Sequence, residues 1–210
     1  MRIALFGGTF DPPHRGHLAI ARAAADALQL GAVFFAPVGL QPLKESLTAT
    51  SFADRLAMVR LACEADSRFQ VSTIDAPRED GRPNYTVDTL AKFKDEMPAA
   101  TIFNLVGADS FLSLRSWRKP QRLLQLAEWI VVSRPGSPLN DLSALRLSSE
   151  ELRRIHLIQT VHEEVSATDL RKRLAAGDEC EDLIPRQVAQ YIKSHCLYRS
   201  IAKESTIARS

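Results

Sequence analysis

Four stretches of this chain are apolar almost without interruption: "RIALF" at 2–6, "AVFFA" at 32–36, "TIFNLV" at 101–106 and "WIVVS" at 129–133. A strand wetted on one face alternates apolar and polar residues; these do not, so each must be covered on both sides. Two further strand candidates lie at 69–75 and 155–159. Segments with helical spacing run at 16–29, 52–65, 86–95, 120–127, 168–176 and 185–195. Strands alternating with helices of this length form βαβ units around a parallel sheet. Right-handed crossovers then place helices on both faces, which gives an α/β, doubly wound open sheet. Pro77, Pro83, Pro98, Pro135 and Pro138 all fall between periodic segments, and 135–140 reads as a surface loop. No repeat or linker divides the chain. The expectation is a single domain over residues 1–199, with a disordered tail at 200–210 where periodicity stops.

Charge and cysteine usage exclude several classes of function. A formal charge of +2 offers no argument for nucleic acid or an anionic membrane as partner. No apolar run approaches the roughly 20 residues that span a bilayer. The N-terminal residues lack a basic, apolar and small-residue succession, so secretion is not expected. Cys63, Cys180 and Cys196 are odd in number and form no CxxC pair, which fits a reduced, cytoplasmic setting.

The first strand runs directly into "GGTFDPPHRGH" (7–17), just as a helical pattern begins. In an open α/β sheet, ligands bind beyond the carboxyl ends of the strands, and a strand-to-helix turn is the usual phosphate seat. Gly7 and Gly8 carry no side chain to keep a phosphate from the backbone, and His14 and His17, three apart, share one face of the first helical turn. The pattern is neither GxGxxG nor GxxxxGK[ST], and no acidic residue ends the second strand where a dinucleotide ribose would need one. Taken alone, the spacing leaves two other readings open: a metal pair assisted by Asp11, or a solvated helix start.

These residues resemble the HxGH signature of the nucleotidylyltransferase superfamily. The longer form GGTFDPxHxGH is similar to that of bacterial nicotinate-mononucleotide adenylyltransferases. Further segments agree in order: "PNYTVDTL" (83–90), "LVGADSFLSLRSW" (105–117), "VSRPG" (132–136), "VSATDLRKRL" (165–174) and "DLIPRQVAQYIKSHCLY" (182–198). The likeness therefore covers residues 1 to about 199. One stretch departs from it. "GLQPLKES" (39–46) keeps a basic residue, Lys44, but has Leu43 where the family usually has histidine.

The resemblance implies a Rossmann-like fold and transfer of AMP from ATP to nicotinate mononucleotide, giving deamido-NAD and pyrophosphate. It also implies Mg2+ travelling with ATP, small-molecule partners only, and no protein-held metal; a homo-oligomer stays open. The nucleophile is a phosphate oxygen already ionised at neutral pH, so the site has to position and neutralise rather than abstract a proton. His14, His17, Lys44 and Arg171 would carry the catalysis as donors to phosphate. Gly7, Gly8, Thr9 and Phe10 would line the nucleotide with backbone, Ser166 or Thr168 would cap the helix ahead of Arg171, and Gly107 and Asp109 would meet ATP at another strand end. Trp117 would stack on the pyridine ring, with Trp129 as the core tryptophan. Tyr85 and Thr86 open a helix whose N–H groups would receive the nicotinate carboxylate. In isolation, Asp109 serves as well as an N-cap for "SFLSL". His156, His162 and His195 receive no role.

Two alternatives of function accompany this reading. Transfer to nicotinamide mononucleotide would use the same signature. A non-catalytic nucleotide sensor would be expected to have lost a signature residue, whereas His14, His17 and Arg171 are all present.

Overall fold

The structure is a computed structural model and describes residues 1–40, 49–133, 142–159 and 165–199. Six parallel strands form one sheet: β1 (Arg2–Gly8), β2 (Ala32–Pro37), β3 (Phe69–Val71), β4 (Thr101–Gly107), β5 (Glu128–Ser133) and β6 (Ile155–Gln159). Their order is β3-β2-β1-β4-β5-β6. The chain winds one way from β1 and the other way from β4, so strand order reverses between these two neighbours. That is where an open sheet leaves a crevice at its carboxyl rim.

Side-chain parity explains the two-sided covering. Within β1, Ala4 and Phe6 enter one core and Ile3 and Leu5 the other. β5 divides in the same way, with Ile130 and Val132 on one face and Trp129 and Val131 on the other. The first face is covered by α1 (Arg15–Leu28), α2 (Phe52–Cys63), α7 (Ala167–Ala175) and α8 (Arg186–Ser194). The second is covered by α3 (Thr86–Glu96), α4 (Ala108–Leu112) and α5 (Pro120–Leu126); α6 (Ser149–Leu152) lies outside both cores. Leu18, Ala21, Ala24 and Ala25 on α1 repeat at helical spacing and are all buried, so burial adds to the high helix propensity of an alanine-rich segment. Its end is a left-handed Gln29 at φ 51°.

The α/β layering agrees with the sequence, and each of the six long helical patterns forms a helix. Three local readings change. β3 stops at Val71 rather than continuing to 75, because the amide of Ala76 turns back to the carbonyl of Thr73 at 3.0 Å and that of Ile74 to Ser72 Oγ at 3.2 Å. The short helices α4 and α6 have too few residues to show a period. Asp109 is no N-cap: α4 starts at Ala108, with Gly107 in the cap position. The loop expected at 135–140 and the tail at 200–210 lie outside the described residues. Among the described residues, no helix is long and apolar enough to cross a membrane.

Candidate active site

The glycines at the end of β1 act differently. A Cβ on Gly7 would meet nothing within 4 Å, whereas one on Gly8 would press to 2.9 Å against the Phe10 ring. The chain turns under Gly8 so that Phe10, at φ 51°, can bury its ring edge-on to Phe6. The same ring stands edge-on to His17, with centroids 5.0 Å apart. Phe10 thus contributes a side-chain buttress.

α1 begins directly after this turn, with His14 as its N-cap. The two imidazoles stack face to face, 3.6 Å between centroids and 25° between planes. The backbone N–H of His14 donates to Nδ1 of His17 at 3.2 Å. With Nδ1 accepting, a neutral His17 ring carries its proton on Nε2, which makes Nε2 the donor. The expected shared face is therefore realised as a stacked pair whose second member has a set tautomer.

A carboxylate behind the turn holds it in place. Asp11, almost wholly buried, accepts from the amide of Ala49 at 2.7 Å, from Thr50 Oγ1 at 2.8 Å and from the hydroxyl of Tyr198 at 2.6 Å. Its backbone carbonyl accepts from Nη1 of Arg171 at 2.8 Å, and Nη2 of Arg171 reaches Thr168 Oγ1 at 3.3 Å. α7 is capped by Ser166, whose Oγ accepts from the amide of Asp169 at 3.4 Å. Ser166 is the cap and Thr168 an anchor for the guanidinium. The structure thus brings Arg171, 157 residues after His14 by number, to the same turn.

Arg55 is a second brace. Its guanidinium is buried on the core side of α2 and donates through Nη1 to the carbonyls of Thr9 at 2.9 Å and Val38 at 2.8 Å. It therefore ties together the loops that follow β1 and β2. Burial draws its pKa down, and the Asp11 carboxylate opposes that pull.

Beside Gly7 and Gly8 opens a cavity of ≈ 330 Å³ lined by Asp75, Tyr85, Thr86, Asn104, Trp117 and Arg118 among others. Tyr85 is the N-cap of α3 and Thr86 its first residue, so the leading amides of that helix lack intrahelical acceptors. Trp117 is half-buried and pinned by donation from Nε1 to Ser113 Oγ at 3.0 Å; Trp129 packs fully inside, as expected. Asn84 shapes the wall by accepting from the amide of Leu40 at 3.1 Å and donating to the carbonyl of Ala76 at 2.9 Å. Asp75 is buried with its carboxyl accepting from Thr89 Oγ1 at 2.7 Å, and that burial pushes its pKa up.

Arg55, Asp75, Asn84, Asn104, Arg118 and Tyr198 are the residues to which sequence reasoning assigned no part in the site, while Asp11, weighed there only as a metal ligand, braces the turn instead. Two carried a signal. Arg55 stands at helical spacing from the buried Met58, Val59 and Ala62, and Asn104 interrupts an apolar strand. Gly107 and Asp109 lie at the end of β4 and in the first turn of α4, with Asp109 exposed. Lys44 lies outside the described residues. His156 pairs with Glu128 at 2.7 Å and His195 stacks on Tyr191, both away from the turn. Among the described residues, no three His, Cys, Asp or Glu side chains are gathered to hold a metal ion.

A reversing parallel sheet, a glycine-ended first strand, stacked imidazoles at a helix start and an arginine carried in from α7 thus meet at one turn of an α/β protein. The cytidylyltransferase-like family matches residues 5–173, and the chain belongs to it. A relative from Exiguobacterium sibiricum named "Probable nicotinate-nucleotide adenylyltransferase" is 42% identical, covering 94% of this chain and 99% of its own length. A relative of the same name from Neisseria meningitidis serogroup B is 41% identical, covering 94% and 98%. Among solved structures, the nicotinic acid mononucleotide adenylyltransferase of Plasmodium falciparum complexed with NaAD superposes with a TM-score of 0.76. That match covers 94% of this chain and 97% of the other at 20% identity, which shows a common fold.

Proposed function

We infer that this chain is an adenylyltransferase of NAD biosynthesis. It joins nicotinate mononucleotide to the AMP part of ATP, yielding nicotinate adenine dinucleotide and pyrophosphate. The observation that carries this reading is the convergence of His14, His17 and Arg171 on one turn beside a cavity with an aromatic wall and an open helix start. Relatives of full length and about 41–42% identity bear the name of this reaction, which supports the same assignment.

The chemistry follows from the parts. A phosphate oxygen of the mononucleotide forms a bond to the α-phosphorus of ATP while the bond from that phosphorus to the bridging oxygen breaks. The electron pair leaves with pyrophosphate, so negative charge grows on the leaving group. Nε2–H of His17, the ring of His14 and the Arg171 guanidinium are donors suited to that charge, and donors fixed before the reaction need no reorganisation. The role of Asp11 is to fix them. Its carboxylate anchors the turn while its carbonyl aims Arg171.

Both Asp11 oxygens are taken by protein donors, so they are not offered to a cation. Mg2+ would travel with the triphosphate as part of the ATP co-substrate. There it would neutralise charge on the α- and β-phosphates. Trp117 offers its face to the pyridine ring, and the leading amides of α3 at Tyr85 and Thr86 suit the carboxylate. The three free thiols support a reducing compartment, the cytoplasm.

The test is pyrophosphate release from ATP with four acceptors in parallel: nicotinate mononucleotide, nicotinamide mononucleotide, phosphopantetheine and none. The expected result is strong preference for the acid. Equal or better efficiency with the amide overturns the substrate, and no turnover with any acceptor favours a sensor.

A further inference from the structure

The cavity beside Gly7 and Gly8 has one anionic and one cationic side chain in its described lining, Asp75 and Arg118. Asp75 lies buried and is committed to Thr89. Arg118 is exposed at the mouth, and no carboxylate pairs with it among the described residues. Its guanidinium lies over the Tyr85 ring, 4.5 Å from the centroid. Tyr85 is also the N-cap of α3. A full positive charge is thus parked against the same helix start that lines the cavity through Tyr85, Thr86 and Val87.

We propose that Arg118 is a specificity-determining side chain that reads the carboxylate of the pyridine nucleotide. This rests on the function inferred above and adds to it a side-chain charge beyond the helix start. Arg118 directly follows Trp117, the ring wall of the cavity. A pyridine ring lying on Trp117 would carry its ring substituent outward within reach of the neighbouring side chain. A carboxylate can take two parallel N–H donors from a guanidinium, whereas a carboxamide presents one oxygen and an NH2 group that meets the same donors with the wrong polarity. Stacking on Tyr85 restricts the arginine in advance, so less conformational freedom is lost when the acid binds. Helix-start amides favour an anion but also accept a neutral carbonyl. A guanidinium adds the discrimination that dipoles alone supply weakly.

Two variants and one titration test the assignment. Arg118→Gln and Arg118→Lys are compared with the unaltered chain for kcat/KM on nicotinate and nicotinamide mononucleotide, and binding of the acid is measured by calorimetry. The acid-to-amide ratio is expected to fall about tenfold in Arg118→Gln, the scale of one exposed charge-assisted hydrogen bond, with the loss in KM for the acid rather than in kcat. Arg118→Lys should recover part of it, since the charge returns without the fork. Raising ionic strength should weaken acid binding more in the unaltered chain than in Arg118→Gln. An unchanged ratio in Arg118→Gln, or equal losses for both acceptors, overturns the proposal while turnover of the unaltered chain with the acid stands. Failure of the unaltered chain to use the acid overturns the function beneath it instead.

Discussion

Tyr198→Phe is the most informative single change, because it removes one oxygen and nothing else. The hydroxyl of Tyr198 donates to Asp11 Oδ1 at 2.6 Å, while the ring packs on the core beside α8 and keeps that packing as phenylalanine. A hydrogen bond to a charged group contributes about 1.5–3 kcal/mol. For a chain of this size each kcal/mol moves the melting temperature by about 2–4 °C, so the variant should melt roughly 3–12 °C lower. Thr50 and the Ala49 amide still hold Asp11, and Arg171 still meets its carbonyl, so kcat should fall severalfold rather than collapse. The pH dependence separates this bond from general damage. Burial and the neighbouring Asp11 both push the Tyr198 pKa up, so the fold favours the neutral phenol. A group raised in this way contributes fully below its unfolded value of about 10 and loses that contribution as pH climbs beyond it. The melting gap between the unaltered chain and Tyr198→Phe, followed by calorimetry, should therefore be full at neutral pH and narrow above about pH 10. Equal melting temperatures at neutral pH, or a gap that stays constant through alkaline pH, would refute the reasoning.

Three shorter predictions accompany it. His17→Ala should lower turnover about a hundredfold or more, as loss of a donor aimed at developing charge does elsewhere, with little change in melting temperature; a normal steady-state rate would remove the mechanism. Asp75→Asn should gain stability relative to the unaltered chain as pH rises above about 4, the ordinary value of the free carboxyl, because a carboxyl whose folded pKa is raised gives up stability as pH climbs beyond that value; parallel melts across pH that never diverge would count against it. Alkylation of the folded protein near about pH 8, read by mass spectrometry, should mark exposed Cys196 first and spare Cys63, which burial pushes up to about 12.

The parts of the site legible in the sequence were those that local pattern encodes. Glycines at a strand end, histidines at a helix start and apolar runs needing two covers are each read within about ten residues, and the fold realises all of them. What escaped was long-range pairing. Tyr198 meets Asp11 across 187 positions and Arg171 meets it across 160, and no periodicity marks either partner. Ile74 prolongs the strand pattern of β3 to 75, while Ser72 and Thr73 use a side-chain hydroxyl and a backbone carbonyl to turn the chain after Val71. Arg55 was legible and overlooked: a charged residue in register with Met58, Val59 and Ala62 has to be either an error of register or a brace.

The braces also explain the division of labour around the turn. A stacked imidazole pair at a helix start does not hold its geometry by packing alone, since the turn beneath it is irregular backbone. Its order has to come from behind. Arg55 fixes the carbonyls of Thr9 and Val38, and Asp11 gathers three donors from the segment ahead of α2 and from the carboxyl end of the described chain. Asp11 also presents its own carbonyl to Arg171. Loop and arginine therefore share Asp11 as a common brace, so a disturbance of Asp11 should displace both at once. Asp11→Asn should accordingly cost more turnover than Tyr198→Phe at equal loss of stability, because an amide NH2 repels one of the three donors and shifts the backbone that aims the guanidinium. Variants of equal melting temperature and equal kcat would show that the two functions of Asp11 are separable, and that the turn is ordered by something other than its carboxylate.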